Sequence, residues 1–375
     1  MTALLSIQNQ HKLAQLEQQL RKQSPYLLGY PLNTCFDYSP LLPYLQYSLN
    51  NAGDPYQSPR INQLHTHAFE QDVLAFFAQL LHAPADNYWG YISNGGTEGN
   101  LYGLYIARER YPQAKVYYSA ASHYSIAKNL HLLAMPAQLI ASTDNGEIDY
   151  LQLAYQLKKH KQIPAIIIAN IGTTMTGAID DIIKIRHCLS QSAIHDYFIH
   201  ADAALHGMLL PFIDNAPRFD FSVGIDSISI SGHKFIGSPL PCGITLTKKT
   251  HSALITKTID YIGTLDATIS GSRNGITPLF LWYAIQSLPI NGFKPIVAHC
   301  LKTAHYAVQQ LKRAGIAAWK NDYSIIVVLQ RVKIPASVLI KWQIAVQDTL
   351  AHLVTMPHVS EQHIDAFIDD ILNSS

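Results

Sequence analysis

The sequence predicts an α/β fold with a mostly parallel sheet, and three observations carry that expectation. Short apolar runs such as Ala165-Ile166-Ile167-Ile168-Ala169 and Tyr197-Phe198-Ile199 read as strands buried on both faces. Stretches with apolar residues at helical spacing, such as Leu101, Leu104 and Tyr105, alternate with them. Residues that bear chemistry fall where the apolar runs end, which is the edge where ligands collect in open α/β sheets.

In chain order, Leu13, Leu16 and Leu20 suggest an amphipathic helix in a Gln-rich N-terminal stretch. Ser24 to Pro59 is rich in Pro, Tyr and Asn and reads as an irregular arm that wraps a neighbour. Phe69, Val73, Phe76, Phe77 and Leu80 make a helical stripe facing the core. From Trp89 come a strand, a glycine turn and a helix, then a strand Lys115 to Ser119 and a helix opened by His123. A strand near Gln138 to Ser142, a helix from Asp149 to His160 and the strand at Ala165 follow. A helix from Asp180 leads to the strands at Phe198 and Ile228, and Gly243 to Thr247 adds one more.

The Gly/Ser-rich stretch Ile269 to Gly275 is the expected lobe boundary. Beyond it, a helix beginning near Phe280, Leu281, Tyr283 and Ala284, a strand at Ser324 to Leu329 and a helix at Ile364 to Leu372 make a smaller α+β lobe. The expected division is an N-terminal helix and arm at 1–59, a large domain at 60–270 and a small C-terminal domain at 271–375.

At 375 residues the chain exceeds the size at which single cores stop growing, so two lobes are expected. A net charge of +1 without a basic cluster argues against nucleic acid as a partner. Only 14% of residues are charged, against about 25% in typical domains. That shortage fits a large subunit interface, or a surface rich in neutral polar residues. The four cysteines, Cys35, Cys188, Cys242 and Cys300, form no CxxC pair and read as reduced thiols of a cytoplasmic protein. Eighteen histidines include the close pair His65 and His67 but no zinc-ligand spacing, so no metal is expected. Neither end reads as a targeting signal, and the longest apolar stretches are too short to span a bilayer; a soluble chain is expected.

Three segments bear chemistry. Ser231-Gly232-His233-Lys234 follows the alternation Ile225 to Ile230, setting a lysine at a strand end among small residues. Such a lysine can form an imine with a carbonyl compound once desolvation frees its lone pair; otherwise it is a surface charge. Asp202 ends the Tyr197-Phe198-Ile199 strand, where it can pair with a heteroaromatic nitrogen or cap the next helix. Ser93-Asn94-Gly95-Gly96-Thr97-Glu98-Gly99-Asn100 joins a strand to a helix. Its glycines let successive N–H groups point at one anion, with the Thr97 hydroxyl and the helix N-terminus adding to the attraction. It lacks a P-loop lysine and GxGxxG spacing, which argues against a nucleotide. An N-capped turn is the alternative.

These segments, in this order, resemble the pyridoxal-phosphate-dependent group II amino-acid decarboxylases, in particular bacterial histidine decarboxylases and plant serine decarboxylases. Matching text extends over nearly the whole chain, including Asn50-Asn51-Ala52-Gly53-Asp54, Trp89-Gly90-Tyr91, Ser122-His123-Tyr124-Ser125 and Asn145-Gly146-Glu147-Ile148-Asp149. It continues through Asn170-Ile171-Gly172-Thr173-Thr174, Pro241-Cys242-Gly243 and Gly271-Ser272-Arg273-Asn274-Gly275.

The resemblance implies a homodimer of the aspartate-aminotransferase type of fold, with active sites at the subunit interface. It implies pyridoxal 5′-phosphate held by Lys234, with Asp202 on the pyridine nitrogen and His123 stacked on the ring near the substrate. Gly95, Gly96 and Thr97 would hold the phosphate, with Ser231 and His233 as additional ligands. Thr173 or Thr174 would bond the phenolic oxygen or the substrate carboxylate. Tyr261 is the candidate for returning a proton to Cα, and a structural role at the subunit contact is its alternative. Ser272 would reach the substrate from the neighbouring subunit. The activity implied is decarboxylation of L-histidine, with L-serine as the alternative; transamination by the same cofactor is a further one. Ile276 departs from the pattern expected in both branches and His206 from that of the bacterial enzymes. His65-Thr66 and Met356-Pro357 look more like the plant serine enzymes, whereas His200-Ala201-Asp202-Ala203-Ala204 looks more like the bacterial ones.

Overall fold

The computed structural model describes residues 5–57, 62–288 and 290–374. The first four residues of the Gln-rich stretch and the expected boundary at 59 lie outside the described residues.

Helix α1 (Ile7–Gln23) is capped by Ser6, whose side chain accepts from the Asn9 amide. It buries no residue in the single chain, and Leu13, Leu16 and Leu20 are each at least half exposed. The arm that follows holds short 3-10 turns at Ser24–Tyr26 and Ser39–Gln46 rather than strands. Helix α2 (His67–Leu80) turns Val73 and Phe77 of the expected stripe into the core together with Leu74, while Phe69, Phe76 and Leu80 are half-buried.

The large sheet contains β1 (Tyr88–Ser93), β2 (Lys115–Ser119), β3 (Ala137–Ile140), β4 (Ala165–Asn170), β5 (Tyr197–Asp202), β6 (Ser227–Ser231) and β7 (Gly243–Lys248). Its order is β1-β7-β6-β5-β4-β2-β3. β3, β2, β4, β5 and β6 run parallel, and β7 lies antiparallel to both β1 and β6. The connecting helices are α3 (Gly96–Arg110), α4 (Ser125–Leu132), α5 (Tyr150–Lys159) and α6 (Ile182–Gln191).

β4 explains the continuous apolar runs. Ile166 and Ile168 pack with Tyr102, Ile106 and Leu130 from α3 and α4. Ile167 and Ala169 join Leu153, Leu157, Ile185 and Leu189 from α5 and α6. A strand's side chains alternate between faces, so covering both faces demands apolar residues at every position.

The starts of α5 and α6 differ from the expected ones by a residue or two, for a local reason. Asp181 caps α6, accepting from the Ile183 amide at 2.8 Å and the Lys184 amide at 3.1 Å, so the helix begins after it rather than at Asp180. Asp149 caps α5 in the same way.

A short helix α7 (Lys249–Ser252) and a hairpin, β8 (Lys257–Ile259) with β9 (Thr264–Asp266), follow the large sheet. Helix α8 (Ile276–Ser287) packs back on α2, where Phe69 meets Trp282 edge-on and Trp282 Nε1 donates to Asp72 Oδ2 at 2.9 Å. Helix α9 (Phe293–Arg313) then leads to an antiparallel sheet of order β10-β11-β13-β12. Its strands are β10 (Ala318–Trp319), β11 (Ile326–Gln330), β12 (Ala345–Gln347) and β13 (Leu350–Val354); helix α10 (Ala336–Lys341) precedes β12, and α11 (Glu361–Asn373) closes the chain. Among the described residues no helix is long and apolar enough to cross a membrane, and no group of three or more His, Cys, Asp or Glu could hold a metal ion.

Candidate active site

A cavity of about 300 Å³ opens where β4, β5 and β6 end, beneath the start of α3 and against β11 and β13 of the small sheet. Lys234, Asp202, His123, Thr173 and Thr174 line it, as do Gly96, Thr97, Ser231 and His233. Gly95 faces a neighbouring cavity on the other side of the same turn.

Lys234 ends the turn after β6, its amide donating to the Ser231 carbonyl at 3.3 Å. Among the described residues no hydrogen bond or ion pair engages its Nζ. Burial holds its ammonium below the usual lysine range, and the Asp202 carboxylate opposes that pull. The amine is thereby brought closer to its neutral, nucleophilic form.

Asp202 is 8% exposed and accepts from Asn100 Nδ2 at 2.8 Å through Oδ2. The glycine turn approaches β6 and β7 closely. Gly95 has φ +140°, and a Cβ on Gly96 would stand 2.9 Å from Ser231 Oγ. A Cβ on Gly243 would meet the Gly95 backbone at 2.9 Å, so the turn tolerates no side chain from below.

His123 Nδ1 receives the Ser125 amide at 3.3 Å and lies 2.8 Å from Ser125 Oγ, which leaves the hydrogen on Nε2. Burial lowers its pKa; the Asp202 charge raises it, and Lys234 and Lys128 lower it further. His233 Nδ1 lies 3.0 Å from the Cys242 carbonyl and 3.3 Å from the Cys242 amide. Thr173 and Thr174 differ sharply. Thr173 Oγ1 is taken up by its own turn, bonded to Thr176 Oγ1 at 2.8 Å and accepting from the Ala178 amide at 3.0 Å. Thr174 is exposed on the wall with no such partner.

Besides Gly95, two expected site residues stand outside the cavity of the single chain. Tyr261 is 78% exposed on the turn between β8 and β9. Ser272 Oγ lies 3.2 Å from Asn50 Nδ2. The positions expected to mark substrate preference are also elsewhere. Thr66 Oγ1 donates to the Gly275 carbonyl at 2.7 Å, and His206 is wholly buried behind Gly172. None of His65, Thr66, His206, Ile276, Met356 and Pro357 lines the cavity.

Sequence reasoning missed Asn100, Asn170, Tyr30 and His352, which all line the cavity. Asn100 had a legible signal, because a buried amide on an otherwise core-facing helix turn demands a partner. His352 had none. It comes from β13, where its Nε2 donates to the Gly29 carbonyl at 3.2 Å.

The cavity suits pyridoxal 5′-phosphate. It offers an unpaired buried amine, a carboxylate with one oxygen left open, and an anion cradle at a helix N-terminus, all on one wall.

The conserved domain of the pyridoxal-dependent decarboxylases matches residues 60–333. A histidine decarboxylase of Mesorhizobium japonicum is 45% identical over 370 residues, covering 99% of both chains. One from Vibrio campbellii is 47% identical over 354 residues, covering 94% of this chain and 91% of its own. In fold, the chain is similar to the crystal structure of L-methionine decarboxylase from Streptomyces sp. 590, with TM-score 0.88 at 24% identity, covering 99% of this chain and 95% of the other. It is also similar to the glutamate decarboxylase of Lactobacillus brevis, with TM-score 0.81 at 18% identity, covering 100% and 93%.

Proposed function

Because the chain belongs to the pyridoxal-dependent decarboxylase family, we propose that it converts L-histidine to histamine and carbon dioxide. The observation that carries the substrate is the 45% identity, over 99% of both chains, to a histidine decarboxylase. Pyridoxal 5′-phosphate supplies the electron sink for the pair left on Cα when carbon dioxide departs.

Lys234 would hold the cofactor's aldehyde carbon, and Asp202 its ring nitrogen. The Gly95-Gly96-Thr97 turn, with Ser231 and His233, would hold its phosphate. The desolvated amine, the open carboxylate oxygen and the close-packed turn support these roles. His123 would lie on the ring face, where its Nε2–H can donate to the substrate carboxylate and hold it in position. Thr174 would add a hydroxyl to the same wall, because the Thr173 hydroxyl is already engaged. Walls from both sheets would limit the access of bulk water to the reacting carbon.

The proposal includes a cytoplasmic homodimer. The exposed α1 leucines and Leu42, Leu45 and Tyr47 of the arm support it as surface a second copy would cover. Tyr261 and Ser272 would then act on the neighbour's site.

Purified protein loaded with pyridoxal 5′-phosphate should release histamine and carbon dioxide from L-histidine. Ethanolamine formed from L-serine, without histamine from L-histidine, would transfer the proposal to serine. Keto acid formed without carbon dioxide would overturn decarboxylation.

A further inference from the structure

Behind Asp202 a chain of hydrogen bonds runs through buried side chains that do not reach the cofactor cavity, apart from its first member. Asn100 Nδ2 donates to Asp202 Oδ2 at 2.8 Å. His200 Nε2 lies 2.9 Å from Asn100 Oδ1, and His200 Nδ1 lies 2.7 Å from Ser227 Oγ. Asn100 is 2% exposed, and His200 and Ser227 are both 0% exposed. The three come from α3, β5 and β6.

Two glycines on α3 make the approach possible. A Cβ on Gly99 would stand 2.2 Å from Ser229 Oγ, and one on Gly103 would stand 2.2 Å from His200 Nδ1. The helix thus lies directly on β5 and β6, and Asn100, between the glycines, reaches the carboxylate.

We propose that Asn100, His200 and Ser227 are positioning residues: a polarised relay that holds the Asp202 carboxylate in place, with Oδ2 engaged and Oδ1 free for the ring nitrogen of the cofactor. The inference rests on the reading of Asp202 as the partner of that nitrogen.

Each bond in the relay has one allowed direction. An ionised carboxylate only accepts, so the Asn100 amide must turn its nitrogen toward Asp202 and its oxygen toward His200. That oxygen also only accepts, so the hydrogen of His200 sits on Nε2. Burial pushes the His200 pKa down to about 3, so the ring is neutral and Nδ1 carries a lone pair. Ser227 Oγ–H must then donate into it. The donors align toward the negative end and strengthen one another in a buried site. Reversing any one bond would set acceptor against acceptor, so the charge on Asp202 and the orientation of Asn100 enforce each other.

The test compares holoenzymes carrying His200→Phe, which keeps a flat ring without polar atoms, and His200→Gln, which restores a donor and an acceptor. His200→Phe should lower kcat about 10-fold or more and weaken cofactor retention similarly, the size expected for loosening a hydrogen bond to a charged group. KM for the amino acid should shift less than about threefold, because the relay touches no substrate atom. The pH dependence of the bound cofactor's visible absorption should move with kcat. His200→Gln should recover most of both. Equal impairment in the two variants would mean that only packing matters, and would overturn the relay. So would wild-type values in His200→Phe. If His200→Phe does not fold, Ser227→Ala is read in its place: weakened cofactor retention supports the relay, and unchanged retention overturns it. Asp202→Asn separates the two levels. Near-wild-type turnover there would remove the role of Asp202 and the relay with it. An impaired Asp202→Asn beside an unimpaired His200→Phe would remove the relay alone.

Discussion

Glu70 and Arg273 form an ion pair with both side chains out of water, at 0% and 1% exposure. Glu70 also accepts the Ile92 amide at 2.8 Å and Asn51 Nδ2 at 2.7 Å, while Arg273 donates to the Gly53 carbonyl at 3.0 Å. The pair thereby ties the arm near Asn51 and the segment carrying Ser272 to strand β1. Leaving one charge unpaired in such a site costs about 3–5 kcal/mol, whereas removing both costs less. Arg273→Met should therefore lower the unfolding free energy by about that amount, and Glu70→Leu combined with Arg273→Met by less. Urea denaturation of the three proteins measures the difference, and equal losses in the single and double variants would contradict it.

Lys234 should carry the cofactor covalently. Borohydride reduction of the loaded protein, followed by peptide mapping, should find the label at Lys234. Lys234→Ala should show no steady-state turnover, and ordinary multiple-turnover activity in that variant would remove the assignment.

Asp202→Ala should lose about 100-fold or more in kcat, comparable to losing one strong electrostatic stabiliser. The protein should still fold, because the position lines a cavity rather than a packed core. Steady-state kinetics with matched circular dichroism checks both statements.

Gly172→Ala should be among the most damaging single-methyl changes. Gly172 has φ +97°, and an added Cβ would stand 1.9 Å from His206 Nδ1. Strain and overlap together should cost upwards of about 2 kcal/mol and displace the turn bearing Thr173 and Thr174. Gly315→Ala, at φ +75° with nothing within 4 Å, is the control, where strain alone should cost about 1 kcal/mol. Comparable thermal stability of the two variants would refute the overlap.

His206 should make the fold acid-sensitive. Burial lowers its pKa to about 3 in the folded protein, against about 6.5 unfolded. The unfolded chain therefore binds the extra proton first. The contribution is fully present above about pH 6.5 and is lost as pH falls toward 3. His206→Gln should flatten the stability profile between about pH 4 and 6.5. A variant profile as steep as that of the native protein would show that other groups dominate.

The large sheet was legible because β4 holds an unbroken apolar run from Ala165 to Ala169 and β5 one from Tyr197 to Ile199, as a strand covered on both faces requires. Lys234, Asp202 and the glycine turn were legible for a related reason: each sits where such a strand stops. Asp181, in contrast, moved a helix start through two capping bonds that apolar spacing does not report. The α1 stripe reads as amphipathic, yet it faces water in the single chain, because periodicity names an apolar face without naming what covers it.

Local pattern alone determined the alternating architecture and the three segments that meet at the cavity, since strand ends and tight turns are properties of a few consecutive residues. Tertiary structure decided the rest. It engaged the Thr173 hydroxyl and left Thr174 open, brought His352 from a second sheet into the wall, and buried His206 away from it. It also joined Asn100, His200 and Ser227 behind one carboxylate. Such contacts arise between residues far apart in the chain, and their directions follow from which groups lose water together.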